Sequence, residues 1–143
     1  MLVNKTKMKR SFHFNRAERK KLVKELSDLL EQQEIIQFAY LHGSFCEEGE
    51  FHDLDIAVYL SEQDKYKQFD YQLQLEDNLQ KRFNYPVDIQ VLNQAPPAFS
   101  YMVIKKGCQL MVRNDNLRTQ FEMSTYRRYF DILPYRERYL REV

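Results

Sequence analysis

The chain has 143 residues, with 22 Lys and Arg against 21 Asp and Glu and a formal net charge of +1. That length suits one domain and excludes two cores of ordinary size, while 3 glycines, 4 prolines and 2 cysteines exclude collagen-like, low-complexity and disulfide-framework proteins. The longest apolar runs, such as Ile56 to Leu60, are far too short to cross a bilayer, and the N-terminus carries no apolar signal region. The expectation is a soluble, cytoplasmic protein without membrane association.

The neutral total hides an asymmetry. Residues 1 to 24 hold nine basic residues against one acid, Glu18, a net +8, which leaves −7 for the rest of the chain. A basic segment on an acidic body reads either as a solubilising tail or as an arm that meets an acidic partner or RNA through residues 5–24.

Residues 1–14 read as a basic flexible lead-in, and 15–143 as a single domain. Asn15 with Glu18 three positions later has the form of a capping box. Leu22, Val23, Leu26, Leu29 and Leu30 then recur at helical spacing, which predicts an amphipathic helix over 16–33. Ile35 to His42 packs β-branched and aromatic residues into a short strand that ends at Gly43-Ser44. Phe45 to His52 is acidic and loop-like, and Leu54 to Leu60 is a second strand. Ser61 can cap a following helix with Tyr66, Phe69, Leu73, Leu79 and Phe83 as its stripe.

Pro86 belongs at the start of a strand over Val87 to Leu92. A helix follows from about Ala98 to Lys106, with Gly107 in the place of a left-handed C-cap. Cys108 to Arg113 is a short strand, and Leu117 onward is a long helix that Pro134 should kink or end. Its aromatics (Phe121, Tyr126, Tyr129, Phe130, Tyr135, Tyr139) exceed what one face needs, so most read as core with a partner surface as a second use. The order α-β-β-α-β-α-β-α predicts an α+β, mixed α/β domain: a small mixed sheet flanked by helices.

The block that carries chemistry is Tyr40-Leu41-His42-Gly43-Ser44, eight residues, then Asp53-Leu54-Asp55-Ile56. Side chains on a strand alternate, so Asp53 and Asp55 share one face while Leu54 and Ile56 take the other. Two aligned carboxylates repel unless a cation stands between them, and Mg²⁺ is the natural hard ion. In Val87-Asp88-Ile89-Gln90-Val91 the apolar residues claim one face and leave Asp88 on the other. If this strand lies beside Leu54–Leu60, Asp88 joins the pair, and three carboxylates can bridge two Mg²⁺ ions. Gly43-Ser44 lets backbone amides and a hydroxyl approach a phosphate. Singly, each piece also reads as a surface strand, a turn or a solvated carboxylate; their conjunction is what points to a site.

In that conjunction the chain resembles the polymerase-β nucleotidyltransferase superfamily. More narrowly it resembles the minimal nucleotidyltransferases, the MNT antitoxins paired with HEPN toxins, over about residues 35 to 131. The resemblance implies a Mg²⁺-dependent protein adenylyltransferase that moves AMP from ATP to a tyrosine of a cognate HEPN ribonuclease toxin and forms a hetero-oligomer with it. Carried over by position, Asp53 and Asp55 would ligate two metals, and Asp88 would bind the catalytic metal and help deprotonate the acceptor. Gly43 and Ser44 would hold the β and γ phosphates. The chain departs from many relatives in the spacer, where Cys46-Glu47-Glu48 stands in place of an Arg, and at His52, where Ser is common. The alternatives are an antitoxin that neutralises by binding alone and a small-molecule, aminoglycoside-type nucleotidyltransferase.

Four residues near this block read as local structure at least as readily as function. His42 reads as a packed strand-end histidine, Arg113 as an exposed arginine and Cys46 as an inert thiol; His52 could orient Asp53.

Overall fold

The protein was analysed as a computed structural model that describes residues 11–46 and 50–142. The basic residues Lys5, Lys7, Lys9 and Arg10, and the acidic Glu47 and Glu48, lie outside the described residues. In chain order the elements are β1 (Phe12–His13), α1 (Arg16–Glu31), β2 (Ile36–His42), a 3₁₀ turn (Gly43–Cys46), β3 (Glu50–Phe51) and β4 (Leu54–Leu60). They continue with α2 (Lys65–Phe83), β5 (Val87–Val91), α3 (Pro97–Lys106), β6 (Cys108–Val112) and α4 (Asp115–Glu142). Apart from the two-residue strands β1 and β3, this is the α-β-β-α-β-α-β-α order the sequence predicts; β3 lies in the stretch Phe45 to His52 that the sequence reads as a loop.

The central sheet has the order β5-β4-β2-β6. The β4–β5 pair is parallel, joined through α2, while β2 runs antiparallel to both β4 and β6. A small antiparallel ribbon joins β1 to β3 through Phe12↔Phe51 and His13↔Glu50. Residues 11–14, which the sequence assigns to the lead-in, are therefore built into the fold. The aromatic rings explain why: Phe12, Phe14, Phe51 and Tyr85 pack mutually, with ring centroids 4.8–5.9 Å apart.

α1 forms where expected, with its capping box closed in both directions between Asn15 and Glu18 (2.8 and 3.1 Å). Leu22, Leu26 and Leu30 bury against one sheet face, while Arg16, Lys20, Lys21 and Lys24 stay exposed. α2 is capped by Asp64, whose side chain accepts from the Tyr66 and Lys67 amides, and not by Ser61. On α2, Gln72 donates to the Ile89 carbonyl (2.7 Å) and Glu76 accepts from the Ile89 amide (3.0 Å), which satisfies the outer edge of β5. The left-handed C-cap is at Asn84 (φ 59°); Gly107 is extended, and its amide bonds the Val103 carbonyl. Glycine is needed at 107 for another reason: a Cβ there would press on the Val103 and Leu41 carbonyls.

α4 runs through Pro134 to Glu142 and does not end there. Proline removes one backbone hydrogen bond and crowds the carbonyl four residues back, and on this exposed stretch the helix carries both costs. The aromatics of α4 divide evenly. Phe121 packs on Phe38 and Tyr59, and Tyr126 and Tyr129 pack on Tyr101, the latter stacked at 4.1 Å. Phe130, Tyr135 and Tyr139 are exposed. Among the described residues, no helix is long and apolar enough to cross a membrane.

Candidate active site

Alternation on β4 decides what each sheet face becomes. Leu54, Ile56, Val58 and Leu60 are fully buried and join Val87, Ile89, Leu110 and the leucines of α1 and α2 in the larger core. Asp55, Ala57 and Tyr59 point the other way, toward the smaller core that Phe38, Tyr40, Leu92 and Val103 build under α3 and the start of α4. Asp53 directly precedes the strand, two residues from Asp55.

Register then assembles the block. The parallel β4–β5 pairing sets Asp55 beside Asp88, and the antiparallel β2–β4 pairing sets Asp55 beside His42. His42, Asp55 and Asp88 form one row across three strands, with neighbouring strands about 4.8 Å apart. Chain direction reverses right after His42. Gly43 takes φ +78°, and a Cβ there would land on the Asp55 carboxylate, so only glycine brings this turn so close. Ser44 lies in the same turn, and its hydroxyl accepts the His52 amide at 3.3 Å. Gly43, Ser44, Asp53, Asp55 and Asp88, separated in sequence, thus meet at one edge of the sheet.

The turn is anchored from below. Phe45 is buried against Phe51, and Arg19 donates to the Phe45 carbonyl while its guanidinium lies 4.8 Å from the Phe45 ring centroid. The Cys46 thiol donates to the Leu41 carbonyl at 3.0 Å. Burial, reinforced by the nearby Cys108 thiol, pushes the Cys46 pKa up to about 12, so the thiol is protonated and unreactive, as expected. The same interaction shows that the fold brings Cys46 and Cys108 near each other, which their sequence separation does not suggest.

His42 is half-buried and meets the Phe99 ring edge-on at 5.6 Å. Its Nε2 lies 2.9 Å from Gln90 Oε1, and Gln90 Nε2 donates to Asp88 Oδ2 at 2.5 Å. Burial lowers the His42 pKa, while the Gln90 hydrogen bond and the charges of Asp88 and Asp53 oppose that shift. Gln90 is the residue that motif reading passes over, although its alternation with Ile89 and Val91 already puts it on the Asp88 face. His52 contributes its backbone amide to Ser44, and its side chain is exposed. Arg113 does not reach toward the site: it donates to the carbonyls of Glu31, Gln33 and Ile36, tying β6 to the end of α1.

The donor set consists of carboxylates, the ligands that suit a hard divalent cation. All three aspartates are partly accessible to solvent. Among the described residues, no three His, Cys, Asp or Glu side chains are already drawn around one point. Like charges without a cation between them repel, and the register sets the Asp55 and Asp88 backbones side by side.

The family profile of polymerase beta, nucleotidyltransferase, matches residues 24–116. No curated protein matches the chain. Among solved structures, a chain of the tri-AMPylated Shewanella oneidensis HEPN toxin in complex with MNT antitoxin is similar at TM-score 0.69 and 21% identity, over 87% of this chain and 97% of that one. A chain of the toxin–antitoxin MntA–HepT gives TM-score 0.65 at 21% identity, covering 85% and 97%. A chain of the toxin–antitoxin with AMP-PNP gives 0.68 at 22%, covering 83% and 94%. At such identities the likeness is one of fold, and it extends over nearly the whole length of those chains. With the profile spanning more than half the sequence and centred on the Gly43-Ser44 and Asp53-to-Asp88 block, the chain belongs to the polymerase beta nucleotidyltransferase family.

Proposed function

We infer that this chain is an antitoxin-type protein adenylyltransferase, which transfers AMP from ATP to a tyrosine hydroxyl of a cognate HEPN ribonuclease toxin in the cytoplasm. One observation carries the chemistry: register sets Asp88 beside Asp55, and the Gly43 turn lies directly against the Asp55 carboxylate. The choice of acceptor is supported by the similar structures, in which an MNT antitoxin stands in complex with a HEPN toxin that carries AMP groups, or with AMP-PNP present.

In this reading Asp53, Asp55 and Asp88 would hold two Mg²⁺ ions, which supply charge neutralisation and activation of the attacking oxygen. Gly43 and Ser44 would hold the β and γ phosphates through the backbone amides and hydroxyl of their turn, which the missing Cβ at 43 lets lie directly against Asp55. Asp88 helps to take the proton from the tyrosine hydroxyl. The tyrosine oxygen forms a bond to the α-phosphorus as the bond to the bridging oxygen breaks, and pyrophosphate leaves.

The test is incubation of the purified chain with α-labelled ATP, Mg²⁺ and its cognate HEPN protein, sought in the neighbouring reading frame. The expected result is label on a toxin tyrosine, absent with Asp53→Ala; no label with both proteins folded overturns the reading. Neutralisation that survives Asp53→Ala/Asp55→Ala would favour binding alone, and transfer to an aminoglycoside without any protein acceptor would favour a small-molecule enzyme.

A further inference from the structure

Beside the Asp55–Asp88 pair, His42 and the amide of Gln90 form a directed chain of hydrogen bonds that ends on Asp88. Asp88, as a carboxylate, can only accept. Gln90 therefore has to present its NH₂ to Asp88 Oδ2, 2.5 Å away, and this forces its carbonyl oxygen toward His42. An amide oxygen only accepts, so the His42 Nε2 atom at 2.9 Å has to carry a proton. The order His42 Nε2–H to Gln90 Oε1, then Gln90 N–H to Asp88 Oδ2, is the one assignment in which every member is satisfied. His42 is itself fixed by the edge-on Phe99 ring and by its place opposite Asp55 at the end of β2.

This arrangement suits a carboxylate that has to be oriented without being neutralised. A lysine or arginine in place of Gln90 would pair with Asp88 and compete with any cation; a leucine would remove the donor to Asp88 Oδ2. An amide donor restrains one oxygen and leaves the negative charge in place. We propose that Gln90 is a positioning residue that orients the Asp88 carboxylate for a divalent cation, and that His42 acts only through Gln90 by fixing which way its amide faces. The inference rests on Asp88 being a metal-binding carboxylate in the proposed function. It assigns a role to two residues that lie outside the Gly-Ser and aspartate motif.

The experiment uses the full chain and Mn²⁺ as the probe, read by its electron paramagnetic resonance signal with AMP-PNP present. Gln90→Leu and His42→Leu should each raise the half-saturating Mn²⁺ concentration about tenfold or more, the size of effect seen when the partner that orients a metal ligand is lost. His42→Gln, which keeps a donor near the same place, should stay close to wild type. The double variant His42→Leu/Gln90→Leu should be no worse than Gln90→Leu alone, because one residue works through the other. Nitrogen-15 spectra of the metal-free protein should show His42 protonated at Nε2, a reading that requires no variant to fold.

Asp88→Asn separates the two levels of inference. If Asp88→Asn weakens Mn²⁺ binding while Gln90→Leu leaves it at the wild-type value, the positioning role is overturned and the role of Asp88 stands. If Asp88→Asn binds Mn²⁺ as wild type does, both fall. An unprotonated His42 Nε2, or additive losses in the double variant, overturns the chain as drawn.

Discussion

The two faces of the central sheet are made by the same strands and do opposite work. On β4, Leu54, Ile56, Val58 and Leu60 turn to the face that α1 and α2 close completely. Asp55, Ala57 and Tyr59 turn to a face that α3 and the first turns of α4 cover only in part. The closed face is continuous and mainly aliphatic, with Phe45 and Phe51 among its buried members; the open one mixes Phe38 and Tyr40 with Leu92 and Val103, is crossed by hydrogen bonds, and carries the aspartates. A carboxylate on the closed face would lose its hydration or its charge, so the site can exist only where coverage stops. One-residue alternation thus separates what holds the fold from what the fold is for, and neighbouring positions on one strand should fail in different ways.

The sharpest break of that comparison is the pair Asp55 and Ile56. Asp55→Ala should lower nucleotidyl transfer by about 10³-fold, since metal-assisted charge stabilisation is worth several kcal/mol and each 1.36 kcal/mol is a decade. It should stay folded, because the Asp55 side chain belongs to neither hydrophobic core. Ile56→Ala should do the reverse, costing about 3 kcal/mol in urea unfolding through the cavity it leaves, while the folded fraction keeps its AMP-PNP affinity. If Ile56→Ala lost nucleotide affinity as fully as Asp55→Ala, the two faces would not be separable. Gly43→Ala comes next. Its Cβ meets the Asp55 carboxylate and its φ of +78° is unfavourable for alanine, so about 1–2 kcal/mol of stability should go together with roughly 10-fold in transfer.

Much of this division was legible before any coordinates. Period-two alternation over Leu54–Leu60 and Val87–Val91 assigned both faces of both strands, and it put Asp53, Asp55 and Asp88 together on the assumption that the strands adjoin. The helix starts were harder to read where several residues compete for one cap: Ser61 and Asp64 both qualify, and Asp64 wins by accepting two amides. Gly107 shows the converse error, a glycine kept for close approach and not for a left-handed angle, because steric room at a backbone contact leaves no local signature. What alternation could not supply was the order across strands. Gln90 faces Asp88 within its own strand, but its second partner is 48 residues away, and only the β2–β4–β5 register brings His42 to it. Arg113 and Cys46 were likewise assigned by exposure and chemistry alone, and their backbone carbonyl partners belong to segments far off or folded back upon them.

The smallest expected effect tests how the open face is held with a smaller core than the closed one. Tyr40, on β2, is buried beneath α4, and its hydroxyl donates to Glu122 at 2.6 Å, which also accepts from Arg118 at 2.8 Å. Burial first, and then Glu122, hold the Tyr40 pKa far above the ordinary tyrosine range, so the hydroxyl keeps its proton and remains a donor throughout the working pH range. Tyr40→Phe removes that donor and keeps the ring against Phe38, whose centroid is 6.0 Å away. Glu122 retains Arg118, so no charge is left buried and alone, and the loss should be about 1 kcal/mol by urea unfolding. Transfer activity should change less than twofold, because the Tyr40 hydroxyl is spent on Glu122 of α4. A larger fall in activity than in stability would mean that α4 sets the position of the site as well as covering its face. The distinction between support and chemistry would then run along the strands as well as between the two faces of the sheet.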